Sequence, residues 1–117
     1  MMWQTYEERL MADTYIKRLK TKAYDEIASY VRKNGKHHPK KHGNWIELKL
    51  GEKSLIMDSW NGAIWQAKDV EYSNPVTGFT ASTREFLGGH FGGYSFGATT
   101  HTMMTVAKEL GLSPEVE

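Results

Sequence analysis

The chain has 117 residues, of which 39% are hydrophobic and 25% charged, so it can form one modest core and is too apolar to remain disordered. It has no cysteine, which excludes disulfides and thiolate metal sites, and no apolar run approaches the roughly 20 residues of a membrane-spanning helix. The net charge of +1 hides an asymmetry, because residues 1–43 carry 10 Lys and Arg against 5 Asp and Glu, whereas residues 44–117 carry 5 against 9.

These properties, and the lack of a signal-peptide pattern in the first residues, lead us to expect one cytoplasmic domain over residues 1–117. We expect no association with membranes. The basic first part suggests a surface for an anionic partner, or a chain whose two halves attract each other.

The first predicted element is helical and begins at a capping box formed by Thr5 and Glu8. Two apolar sets at helical spacing follow: Tyr6, Leu10, Ala12, Ile16 and Leu19, then Ala23, Ile27, Tyr30 and Val31. Each step of four residues rotates an apolar stripe by about 40° around the helix. The pattern therefore predicts either a bend near Lys20–Thr21 or two helices, ending at Asn34-Gly35.

After this segment the hydrophobic period changes to two. Residues 36–43 are basic and contain Pro39, so we expect an exposed loop there. An antiparallel meander follows, with turns at Gly51-Glu52 and Asn61-Gly62, and the alternation places Trp45 opposite Ile46, Leu48 and Leu50. The predicted strands are Trp45–Leu50, Ser54–Trp60 and Ala63–Tyr72.

The remaining segment predicts a short fourth strand at Val76–Thr80 and a short helix from the capping box Ser82–Glu85 to Leu87. Thr99 or Thr100 caps a last helix that buries Met103, Val106, Ala107 and Leu110. The predicted fold class is α+β: an N-terminal helix or helix pair, a three- to four-stranded antiparallel sheet, and a C-terminal helix packed on the sheet.

A basic cluster gives the leading functional hypothesis. Its candidate residues for binding nucleic acid or another polyanion are Arg32, Lys33, Lys36, Lys40 and Lys41. Several cations on one surface match a phosphate backbone, although a solvated face that keeps the protein in solution explains them as well. We expect a small non-enzymatic protein that binds nucleic acid. A second hypothesis is an accessory protein of the phage or mobile-element kind, which inhibits a nucleic-acid-handling protein by binding it.

A glycine-rich loop gives the third hypothesis, a site for a nucleotide or phosphate ligand. Residues 92–99 have the spacing of a phosphate-binding loop, but Ala98 replaces the essential Lys, which excludes triphosphate hydrolysis. Backbone amides, hydroxyls and rings could still hold a phosphate and a base. The candidates are Tyr94, Ser95, Gly97, Thr99, Thr100 and His101. The alternative is a structural loop whose aromatic residues anchor in the core.

The remaining candidates are weaker. His38 and His42 are four residues apart but flank Pro39 without a neighbouring carboxylate, so we expect no metal and no cofactor. The chain carries no nucleophile elbow and no zinc-protease motif, so we expect no catalytic activity. If one sheet face is open, Trp45, Trp60 and Trp65 become candidate contacts for bases or for a protein; the oligomeric state stays open.

Overall fold

A computed structural model of the chain describes residues 6–40, 43–92 and 97–115. In these ranges the elements are α1 (Tyr6–Asn34), β1 (Lys36–Lys40), β2 (Gly43–Leu50), β3 (Lys53–Asp58), β4 (Ile64–Ser73), β5 (Thr80–Phe91) and α2 (Thr100–Glu109). Each strand pairs antiparallel with the next, giving one sheet in the order β1-β2-β3-β4-β5. The α+β class is confirmed, with five strands instead of three to four.

The core lies between one face of the sheet and the two helices. Strands β2, β3 and β4 contribute Ile46, Leu55, Met57 and Ile64, and β5 contributes Phe91. The helices contribute Ala23, Ile27, Ala28, Val31, Met103, Val106 and Ala107. Thr99 caps α2, and Gly111 follows its end with a φ of 78°, as predicted.

Helix α1 is one continuous helix. Of the two predicted alternatives, a bend near Lys20–Thr21 or two separate helices, the second is therefore wrong. The rotation of the apolar stripe is accommodated without a break in the helix, because only part of the helix packs on the sheet. Ala23, Ile27 and Val31 are fully buried on the sheet, whereas every residue from Glu7 to Arg18 is exposed. Only the second half of α1 therefore contributes to the core.

The segment predicted as a basic loop is in fact strand β1. Its residues 36–40 pair with residues 43–47 of β2. Because β1 is at the edge of the sheet, Pro39 can be accommodated without interrupting a second ladder of hydrogen bonds. Pairing with β2 outweighs the loop preference of this sequence.

The predicted fourth strand and short helix are also wrong, because Thr80–Phe91 forms one long strand, β5. It pairs with β4 from Ser73↔Thr80 to Ile64↔Phe91, with an irregular register between Ile64 and Gln66. Ser82 and Glu85 thus lie in the ladder and do not cap a helix. Cross-strand pairing along the whole of β4 outweighs the local capping pattern.

The turn at Gly51-Glu52 is confirmed, whereas the connection around Asn61-Gly62 is longer than predicted. Residues 59–63 join β3 to β4, and Gly62 has a positive φ while Asn61 does not, which rules out a type I′ turn. The loop is held by side chains instead: Asp58 Oδ1 accepts from the amide of Trp60 (2.8 Å), and Asn61 Oδ1 from that of Ala63 (2.9 Å).

Tyr24 of α1 fastens this loop and the end of β5 to the helix. Its hydroxyl donates to the carbonyl of Gly62 (2.6 Å), and its ring lies where a Cβ at Gly92 would be. Gly92 has a φ of 74°, and Gly78 has a similar φ of 72° but open space around it. A comparison of substitutions at Gly92 and Gly78 therefore separates the cost of the left-handed backbone from the cost of a clash with the Tyr24 ring.

We predict that Gly78→Ala lowers the free energy of unfolding by about 1–2 kcal/mol, the cost of a left-handed backbone for an L residue. Gly92→Ala adds a clash with the Tyr24 ring, which raises the loss by a further ~1–3 kcal/mol. Urea denaturation of both variants measures the difference. Equal losses would show that the Tyr24 contact does not constrain β5.

Candidate binding surface on the open sheet face

The predicted basic cluster is divided between two sides of the molecule. Arg32 and Lys33 are exposed at the end of α1, on the helical side. Lys36 is in register with Glu47, and His37 with the buried Ile46, so alternation along β1 turns Lys36 to the side without helices. Lys41 and the Lys40 side chain lie outside the described residues.

The predicted phosphate loop is only partly described, since Tyr94 and Ser95 lie outside the described residues. The amides of Gly97 and Ala98 both donate to the carbonyl of His90 (3.0 Å each). Thr99 Oγ1 accepts from the amide of Thr102 (3.2 Å) as the cap of α2, whose first turn holds Thr100 and the exposed His101. These groups thus serve the connection from β5 to α2, and phosphate binding there stays a prediction.

The sheet face away from the helices carries a set of aromatic side chains. The imidazole of His38 stacks on Trp45, with ring centroids 5.5 Å apart and planes 17° from parallel. The ring of Trp65 meets Phe86 edge-on at 5.8 Å and His90 at 5.1 Å. The predicted position of Trp45 opposite Ile46 is confirmed, and both aromatic groups lie on a face that neither described helix covers.

An ion-pair network crosses the same face. Arg84 on β5 donates from Nη2 to Glu47 Oε1 on β2 (2.8 Å) and from Nε to Asp69 Oδ1 on β4 (3.3 Å). The first bond passes over β3 and β4. Ser54 and Ala67, which are partners on those two strands, are small and buried on this face and leave room for it.

Three carboxylates of this face are engaged, whereas a fourth, Glu71, is exposed on β4 beyond Asp69. Glu47, whose side chain is 15% exposed, also lies 3.6 Å from His38 Nε2. Asp69 lies 4.0 Å from Lys49 as well as binding Arg84, and Asp58 accepts from a backbone amide. Lys36, by contrast, forms no ion pair with any other described residue. Binding of an anion by Lys36 stays a prediction.

Several of these residues were missed by sequence reasoning. The sequence predicts a loop at His38 and a short helix at Phe86, and His90 is not predicted to lie on this face. The positions of all three depend on β1 and β5 being strands. The alternation of Lys36, His38 and Lys40 with His37 and Pro39 is a signal that could have found His38, but it gives no information on Phe86 and His90.

Comparisons with known proteins give no likeness: no protein-family model, curated protein or solved structure matches the chain. Within the described ranges, no three His, Asp or Glu side chains are grouped so that they could hold a metal ion. Neither described helix combines the length and the apolar composition that a bilayer requires.

We predict that Arg84→Ala lowers the free energy of unfolding by about 1–3 kcal/mol, because it leaves the poorly exposed Glu47 carboxylate without its main partner. Lys49→Ala is the control. Its side chain is largely exposed and its ammonium lies as far as 4.0 Å from Asp69, which makes a weak ion pair. The loss of Lys49 therefore costs under about 0.5 kcal/mol.

Urea denaturation measures both variants. Making Arg84→Ala also in a Glu47→Gln chain shows whether Glu47 is the partner of Arg84 whose isolation causes the loss of stability. There, Arg84→Ala costs less than in the parent chain, since the poorly exposed carboxylate at position 47 is absent and only the half-exposed Asp69 loses a partner. An equal cost in the two backgrounds would contradict the assignment.

Proposed function

We propose that this chain is a small non-enzymatic nucleic-acid-binding protein that holds a single strand across the open sheet face. The observation that carries the proposal is the placement of the stacked His38–Trp45 pair and the Trp65–Phe86–His90 group on a face without helices. Aromatic side chains in such positions stack on bases of any sequence, at about 1–3 kcal/mol per base.

The two aromatic groups lie on strands that are separated by one other strand. Trp45 is in register with Asp58 of β3 and Trp65 with Ile56, so the two are roughly 10 Å apart across the sheet and about 7 Å apart along it, or roughly 12 Å in all. A duplex keeps its bases stacked on each other and would not offer their faces to the sheet. The proposal therefore favours single-stranded DNA or RNA.

The charges beside the aromatic groups support the same proposal. Lys36 and the largely exposed Lys49 are on this face. Of its carboxylates, Glu47 and Asp69 pair with Arg84 and Asp58 accepts from a backbone amide, whereas Glu71 is exposed. Lys40 and Lys41 continue the basic edge in the sequence. Phosphates bound there would release counterions, so the affinity depends on salt. A cytoplasmic location belongs to the proposal.

We predict that Phe86→Ala weakens binding of a labelled single-stranded oligonucleotide by about 5- to 150-fold, the equivalent of about 1–3 kcal/mol. Fluorescence anisotropy at low salt measures it. The matched control is Trp60→Ala, since Trp60 is 82% exposed but lies in the loop between β3 and β4. Its removal should leave the affinity within about twofold.

The charge arm of the same experiment compares Lys36→Glu with Lys33→Glu. Lys36→Glu weakens binding and lowers the slope of log affinity against log salt by about 1, whereas Lys33, on the helical side, matters less. No binding by the parent chain at low salt would contradict the proposal. Equal losses for Phe86→Ala and Trp60→Ala would also contradict it.

A second candidate, an inhibitor that acts by binding another protein, is favoured by the far end of the β4–β5 hairpin. Three large side chains are exposed there: Tyr72, Val76 and Phe79, of which Val76 is 91% exposed. Apolar side chains grouped at the end of a projecting hairpin are typical of a protein contact.

We predict for this candidate that the parent chain purifies from its host with one stoichiometric protein, and that Val76→Ser with Phe79→Ser reduces the recovery at least about tenfold by removing apolar contact area. Mass spectrometry of the purified complex measures the recovery. The control is Glu71→Gln, an exposed position on the same hairpin. Recovery that is unchanged in the double variant would rule out the hairpin as the contact.

A further inference from the structure

The exposed half of α1 has an apolar face that points in a different direction from the buried one. Met11, Ala12, Tyr15, Ile16 and Leu19 fall within an arc of about 140° at 3.6 residues per turn. The centre of this arc is roughly a quarter of a turn from that of the buried residues Ala23, Ile27 and Val31. Met11 is 72% exposed and Tyr15 51%, so the described part of the chain leaves this face largely in solvent.

Charges at the two ends of this face have opposite signs. Glu8 is at one end and Lys22 at the other, seven residues before and seven after Tyr15. Two copies of the helix that run antiparallel and cross at Tyr15 bring Glu8 of each copy opposite Lys22 of the other. The same arrangement places Met11 opposite Leu19. A parallel arrangement would set Glu8 against Glu8 and Lys22 against Lys22, which repel.

We propose that residues 8–22 of α1 bind the same residues of a second copy, antiparallel and with a two-fold axis at Tyr15. The face is self-complementary in charge, as an isologous contact requires. The paired stretch ends at Lys22, immediately before Ala23, where α1 begins to pack on its own sheet. Residues 23–34 of one copy therefore extend past the first turn of the other. The contact uses none of the residues of the open sheet face, so it stands independently of nucleic-acid binding.

Sedimentation velocity across a range of concentrations tests the pairing. The parent chain shifts from monomer to dimer mass as its concentration rises, and Tyr15→Glu, which sets two carboxylates against each other on the axis, weakens the dimer at least about tenfold. Thr14→Glu is the matched control. It adds the same charge one residue away, about 100° around the helix and outside the apolar arc, and should leave the dimer unchanged.

Charge exchange and cross-linking test the orientation. Glu8→Lys and Lys22→Glu each weaken the dimer, and the chain with both changes regains it. Because the natural chain has no cysteine, an equimolar mixture of Met11→Cys and Leu19→Cys chains should form the mixed disulfide in preference to either symmetric one.

Four results would overturn the proposal. They are a parent chain that is monomeric at all concentrations, a dimer that Tyr15→Glu does not weaken, symmetric disulfides in excess of the mixed one, and a parent chain recovered from its host with a different protein on this helix. Circular dichroism of each variant identifies any loss of dimer that comes from unfolding of α1.

Discussion

The packing of the second half of α1 against one face of the sheet is the interaction on which the rest of the structure depends. Ala23, Ile27 and Val31 are the residues through which the helix enters the core, and Tyr24 fastens both the β3–β4 loop and the end of β5 to it. Because both described helices lie on the same face of the sheet, neither of them covers the other face. Since the apolar stripe rotates along the helix, the first half of α1 leaves the sheet.

The sheet face away from the helices combines an ion-pair network with two groups of aromatic side chains. An arginine bridge holds Glu47 and Asp69 over the small residues Ser54 and Ala67, and aromatic groups lie around it. The bridge pairs one cation with two of the carboxylates on this face, which reduces their repulsion of a phosphate under the proposed function, and the rings are the surface proposed for bases. Structural and proposed binding roles therefore lie side by side on this face, with Arg84 stabilising it and Phe86 and Trp65 as the proposed contact surface.

The sequence predicts the parts of this fold that depend on neighbours in the chain. The alternation around Trp45 and the cap of α2 at Thr99 are local patterns, and both are confirmed. Strands β1 and β5 depend on pairing with β2 and β4, and their local patterns, a basic stretch with Pro39 and the capping box Ser82–Glu85, indicate other structures. The sequence names Trp45, Trp60 and Trp65 as candidates for this surface. Trp45 and Trp65 are strand residues on it, whereas Trp60 is in the loop after β3, and His38, Phe86 and Arg84 are not predicted there.

The measurement that tests the central claim most directly is a titration of the four tryptophan indole N–H signals by nuclear magnetic resonance with a single-stranded oligonucleotide. The claim that the open sheet face binds the strand predicts that the signals of Trp45 and Trp65 shift, and that the signal of Trp60, which is exposed in the loop after β3, does not. A shift confined to Trp60, or no shift of any indole at low salt, would contradict it.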